Sequence, residues 1–141
     1  MAGLLTLPAA QEAAISAALT SWASEPFDEL RANCGLSVLD YVETVRGRVL
    51  DPSPRSLGRL GIASVVRSPG GFEQYVRGVM ERLACPVADV PRRGDIGLVE
   101  RETGLTVCLC VGSKWAFRGP GAVVIELAEP VIAWRVSCPL R

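Results

Sequence analysis

The chain has 141 residues and a mass of 15.0 kDa, which suits one compact domain and leaves too little chain for two. Fifteen basic and fifteen acidic residues give a formal net charge of zero without blocks of either sign, so no charged footprint for nucleic acid or an anionic membrane is present. The high apolar content, 49% of residues, favours a subunit that works bound to other proteins.

Hydrophobic runs are interrupted by charge or glycine before they reach the roughly 18 residues that a membrane-spanning helix needs. The first eight residues lack the basic start and long apolar run of a signal peptide. We therefore expect a protein that is made in a cytoplasm and has no membrane span.

The first predicted element is an alanine-rich helix from Ala9 to Trp22, which Pro8 introduces. Its apolar face comprises Ala14, Ile15, Ala18, Leu19 and Trp22. We expect this face to pack on the next helix in the chain.

The next helix carries a candidate nucleophile. Asn33 is a favoured N-cap residue, so the helix is predicted to begin at about Cys34, and Gly47 is predicted to end it. One face repeats every three residues, at Leu36, Leu39, Val42 and Val45. A cysteine in the first turn of a helix meets the positive end of the helix dipole and unpaired N–H groups, which favour the thiolate.

The alternative interpretation is that Cys34 is a small buried hydrophobe, as most free cysteines are. A working thiolate needs a base, and the sequence contains no histidine. The five cysteines include no Cys-x-x-Cys pair, so we predict neither a metal site nor a cofactor. Cys108 and Cys110 are two residues apart in a predicted strand, which suits reduced core residues better than a disulfide.

Two more helices are predicted before the pattern changes. A short helix from Ser56 to Val66 follows a turn-rich connector, and a second helix runs from about Phe72 to Leu83. The inner stripe of the second helix is Val76, Val79, Met80 and Leu83.

From Val87 onwards the helical period of 3.6 residues gives way to short segments rich in β-branched residues, which indicate strands. The predicted strands are Ile96 to Glu100, Leu105 to Val111, Lys114 to Phe117, Ala122 to Leu127 and Ile132 to Val136. Helices first and a meandering antiparallel sheet last predict an α+β fold, in which N-terminal helices (residues 1–86) pack on a C-terminal antiparallel sheet of about five strands (residues 87–141). The whole chain, 1–141, is interpreted as one domain.

The order of these motifs resembles the NlpC-type papain-like cysteine peptidases, which cut cell-wall peptides. A narrower resemblance is to the branch of that family found in tail-assembly gene clusters of phages and gene-transfer agents. Over about residues 22 to 136 it rests on Pro26-Phe27, Asn33-Cys34, Asp40, Gly47-Arg48, Arg92-Arg93-Gly94-Asp95, Val107-Cys108-Leu109-Cys110-Val111-Gly112 and Ala133-Trp134-Arg135-Val136.

The chain departs from the peptidase pattern at each catalytic position except the cysteine. Counting back from Gly112, the position of the family histidine falls on Thr106, whose hydroxyl cannot accept a proton near neutral pH. Asn33 stands where the family has aspartate before the cysteine. The orienting polar residue of the peptidases is expected near Ala116 and Phe117, where nothing polar is found.

The resemblance therefore implies two functions from different classes. The first is a catalytically silent domain, a structural component of a phage-type tail tip or baseplate hub that docks on other tail proteins in the virion. The second is a cysteine peptidase or amidase that acts on peptidoglycan with a base supplied from elsewhere, and thiol-based acyl transfer also stays open. The missing histidine favours the first, and Cys34 is then expected to face Thr106 across a narrow apolar contact without hydrolysis.

The tripeptide Arg93-Gly94-Asp95 also matches an integrin-binding motif. A Gly-Asp turn that enters a strand explains the same residues without any partner, and we prefer that interpretation.

Overall fold

The computed structural model describes residues 7–24, 34–47, 61, 64, 65, 67, 70–102, 104–119 and 122–137. Within these ranges three complete helices come first, namely α1 (Ala9–Ser24), α2 (Cys34–Arg46) and α3 (Gly71–Arg82). Five strands follow, namely β1 (Ile96–Arg101), β2 (Gly104–Cys110), β3 (Trp115–Gly119), β4 (Ala122–Glu126) and β5 (Ile132–Trp134). The predicted α+β class, with N-terminal helices and a C-terminal antiparallel sheet of five strands, is confirmed.

Helix α2 begins at Cys34, as its sequence predicts, and ends just before Gly47. Gly47 takes a φ of +81°, which favours glycine, and its N–H donates to the carbonyl of Glu43. All four residues of the predicted stripe are buried, and α1 packs on α2 as expected. The proposed Asn33 cap lies outside the described residues.

Helix α3 also buries its predicted stripe of Val76, Val79 and Met80, with Leu83 just after its end. The predicted helix from Ser56 to Val66 lies mostly outside the described residues. Each helix in the described ranges is too short or too polar to cross a lipid bilayer.

The sheet has the strand order β4-β3-β2-β1-β5, with every neighbouring pair antiparallel. The first four strands form a meander, and β5 then returns to the opposite side to pair with β1. Because side chains alternate along a strand, the sheet has two faces of different composition.

The helix face of the sheet carries the main core. There Leu98, Val107, Leu109 and Ala116 cluster with the buried residues of the helices. Helix α2 lies against β2 and β3, and α1 contacts β3 and β4. Helix α2 therefore packs on β2 and β3, the strands that carry Thr106 and the pair Ala116 and Phe117.

The far face of the sheet carries a second, smaller core that includes Cys108, Cys110, Trp115 and Phe117. Both cysteines are buried free thiols, as predicted. Burial raises the pKa of the Cys110 thiol, and burial likewise raises the pKa of Cys85. These thiols stay neutral, so they are packing groups and poor nucleophiles.

Candidate functional site

The first turn of α2 is the place where the sequence predicts a nucleophile. Cys34 is the first residue of the helix, while its side chain lies outside the described residues. Ser37 follows three positions later, which puts it one turn along on the same side of the helix. The Ser37 side chain is buried.

Thr106 lies on the far face of the sheet. It pairs with Val99 of β1 and shares its side of β2 with Cys108, whereas α2 packs on the opposite side, where Val107 lies. The Thr106 hydroxyl donates to the carbonyl of Gly104 at 3.4 Å. Strand alternation directs Thr106 away from α2, which does not fit the expected contact with Cys34, whose own side chain lies outside the described residues.

One side chain that reaches this turn from the sheet is that of Arg118, which was not among the predicted site residues. It follows Ala116 by two positions on β3 and so points to the helix face. Its guanidinium is buried, and Nη1 donates to the hydroxyl of Ser37 at 2.9 Å. Arg118 lies one position after Phe117, and strand alternation places it on the same face as Ala116. That alternation is the signal in the sequence that could have indicated it.

A guanidinium stays protonated in proteins, so Arg118 can supply positive charge but cannot act as a general base. That charge lies close to the positive end of the α2 dipole and would favour an anion there. Among the described hydrogen bonds, the one between Arg118 and Ser37 therefore brings a cation to the first turn of α2. Within the described residues, no group of three histidine, cysteine, aspartate or glutamate side chains could hold a metal ion.

Removing the acceptor of this hydrogen bond should destabilise the fold measurably. Ser37→Ala is expected to lower the free energy of unfolding by roughly 1 to 3 kcal/mol, because a buried charged donor loses this hydrogen-bond acceptor. Thr44→Ala is the matched control, since its hydroxyl donates to the Asp40 carbonyl on the exposed side of the same helix. Urea unfolding that gives equal losses for both variants would contradict the structural role of the Arg118 contact.

The turn at Asp95 and the segment after β5 are joined by an ion pair. Asp95 is 1% exposed, and Arg135 approaches both of its carboxylate oxygens, with Nε 3.1 Å from Oδ1 and Nη2 2.9 Å from Oδ2. The N–H of Arg92 also donates to Oδ2 at 2.9 Å. The hydrogen bond with Asp95 raises the pKa of Arg135. Because the carboxylate is buried and engaged, Arg93-Gly94-Asp95 is a structural turn and not an exposed integrin motif.

A buried polar network ties the same turn to both of the first two helices. The Gln11 amide donates to the Tyr41 hydroxyl at 3.1 Å and to the Val136 carbonyl at 2.8 Å, and the Tyr41 hydroxyl donates to the Gly94 carbonyl at 2.7 Å. Arg93 adds a more exposed ion pair with Glu12 of α1. The Gly-Asp turn is thus a junction of α1, α2 and the segment after β5.

Comparison with curated proteins and with solved structures gave no match. A family model described as "Domain of unknown function (DUF6950)" matches residues 8–136, which include helices α1 to α3, strands β1 to β5 and both partners of the Asp95 ion pair. The match covers well over half of the sequence. The chain therefore belongs to the family of the domain of unknown function DUF6950.

Proposed function

We propose that this protein is a structural NlpC-like domain without hydrolytic activity, a component of a phage-type tail tip or baseplate hub that docks on other tail proteins. The observation that carries the proposal is that residues of the family-like motifs form structural contacts, while the position of the family base holds no base. Asp95 pairs with Arg135, and both are in motifs of the tail-cluster resemblance. The position of the family base instead holds Thr106, directed away from the cysteine-bearing helix.

The surface supports a docking role. Large apolar side chains are exposed at Val87, Val90, Val124, Ile125, Leu127 and Val131. With a formal net charge of zero, the chain has little electrostatic protection against association. Contacts with other proteins would remove this apolar surface from water.

A second candidate function is a peptidoglycan peptidase or amidase. It is favoured by one observation, the positive charge of Arg118 next to the first turn of the helix that begins at Cys34. That charge and the helix dipole would both favour a thiolate. A partner would still have to supply the proton acceptor, because the sequence has no histidine.

Turnover of purified peptidoglycan distinguishes the two functions. Wild type and Cys34→Ala should be compared, each alone and within assembled particles. We expect no release of muropeptides that depends on Cys34, and we expect Cys34→Ala to leave particle assembly and infectivity almost unchanged. Cysteine-dependent release in either state would reject the structural proposal and establish the enzyme.

Docking needs its own measurement. The tagged chain should co-purify with tail proteins encoded beside it, whether or not Cys34 is replaced by alanine. A chain that assembles into no particle and binds none of these proteins would contradict the tail-tip role.

A further inference from the structure

The described residues cover the outer edge of one outer strand of the sheet, β5, but place no strand along the outer edge of the other, β4. The outer edge of β5 is covered by residues 86–88, since the Ala88 N–H donates to Ala133 and the Arg135 N–H donates to Pro86, each at 2.8 Å. Strand β4 is the other edge, and among the described residues it pairs only with β3. As far as the described residues go, its outward N–H and C=O groups therefore form a row without a strand partner, and such a row can accept another strand.

The composition of β4 suits strand pairing. Its sequence is Ala-Val-Val-Ile-Glu, with no proline or lysine to block an additional strand. Val124 and Ile125 are 39% and 49% exposed. The only charge is Glu126, whose carboxylate is held 2.8 Å from Arg101 of the same sheet. An open apolar edge of this kind is one that natural proteins usually cover.

The helix beside this edge carries one charged residue, Glu12, which is paired with Arg93. All eight exposed residues of α1 are alanine, serine or threonine, among them Ala13 and Ala17. A solvent-facing helix normally carries charged or long polar residues there. Small side chains let a second helix approach closely, and α1 contacts both β3 and β4, so this surface adjoins the open edge.

We propose that two copies of this chain pair antiparallel through β4 to form a symmetric dimer with one continuous ten-stranded sheet. The strand is self-complementary about Val124. In that register Val124 lies opposite its own copy, Val123 lies opposite Ile125, and Ala122 lies opposite Glu126, so apolar side chains meet and no like charges are opposed. A two-fold interface of this kind uses the same patch on both copies.

The helix layer fits the same arrangement. Neighbouring strands are about 4.8 Å apart, so a helix centred over β3 and β4 lies roughly 10 Å from its two-fold copy. Packed helices have interaxial distances of about 8 to 10 Å, with the shorter values for small side chains. The alanine-rich surface of α1 therefore allows the two α1 helices to pack when the two β4 strands pair. This inference does not depend on the tail-tip assignment.

Light scattering of the purified chain across a concentration series tests the dimer. We expect a species of twice the 15.0 kDa chain mass. Val124→Lys should raise the dimer dissociation constant at least about tenfold, because the two-fold register opposes two like charges. Val90→Lys introduces the same charge at an exposed valine outside β4 and should leave the constant within about twofold. A wild-type monomer at all concentrations, or equal effects of both variants, would refute the proposal.

A cross-link tests the register without relying on the lysine variant folding well. In the proposed pairing the two Val124 residues are directly opposite, within the Cα separation of about 4.4 to 6.8 Å that a disulfide spans. Val124→Cys should give a covalent dimer on mild oxidation in non-reducing electrophoresis, whereas wild type and Val90→Cys should not. Cross-linking by Val90→Cys to the same extent, or its absence from Val124→Cys, would exclude this register.

Discussion

Replacing Asp95 with alanine should lower the free energy of unfolding by about 2 to 4 kcal/mol. The variant removes a carboxylate that is 1% exposed, so the N–H of Arg92 loses its acceptor and the guanidinium of Arg135 loses its ion-pair partner while keeping its hydrogen bond to the Val90 carbonyl. We expect a value below that of a fully buried pair, because Arg135 is 27% exposed and water can partly replace the lost partner. Guanidinium chloride unfolding of both proteins measures the difference.

The Arg93–Glu12 pair provides the matched control. Its side chains are 38% and 43% exposed, so Glu12→Gln should cost less than about 1 kcal/mol. Comparable losses for the two carboxylate variants would mean that the Asp95 pair does not anchor the turn. Such a result would weaken the proposal that the motifs containing Asp95 and Arg135 have a structural role.

The second large effect is expected at Gly94. This residue has a φ of +96°, and an added Cβ would lie 2.7 Å from the amide nitrogen of Gln11 and 3.3 Å from the hydroxyl oxygen of Tyr41. Gly94→Ala should therefore combine backbone strain with disruption of buried hydrogen bonds and cost about 3 to 5 kcal/mol. Thermal and denaturant unfolding give the value.

Gly104→Ala separates the two causes. Gly104 also has a positive φ, +112°, but an added Cβ there would meet no atom within 4 Å. Its substitution should cost only the strain, about 1 to 3 kcal/mol. If both glycine variants lose the same stability, the network of Gln11 and Tyr41 contributes little and the close approach at Gly94 is tolerated.

Much of the fold follows from local patterns. Both helix α2 and strand β1 begin at their predicted first residues, Cys34 and Ile96. Helix α3 and the other strands differ from their predictions by a residue or two at the ends. The apolar period of about 3.6 or 2 residues is set by neighbours in the chain, so it can be read without the tertiary structure.

The sequence also determined that Cys34 begins a helix and that no histidine is present to serve it. Those two facts limit the chemistry before any contact is known. The sequence did not determine which strand residue lies beside this helix. Counting motif positions gave Thr106, but the count does not say which side of the strand the helix will cover.

The tertiary structure decided which residues meet. It turned Thr106 to the far face, and it brought Arg118 to Ser37 across 81 positions and Arg135 to Asp95 across 40. Such contacts depend on strand register and on which sheet face the helices bury, because shifting or turning a strand by one residue exchanges its two sets of side chains. Local hydrophobic periodicity specifies that a strand has two faces, whereas only packing of the whole chain decides what each face contacts.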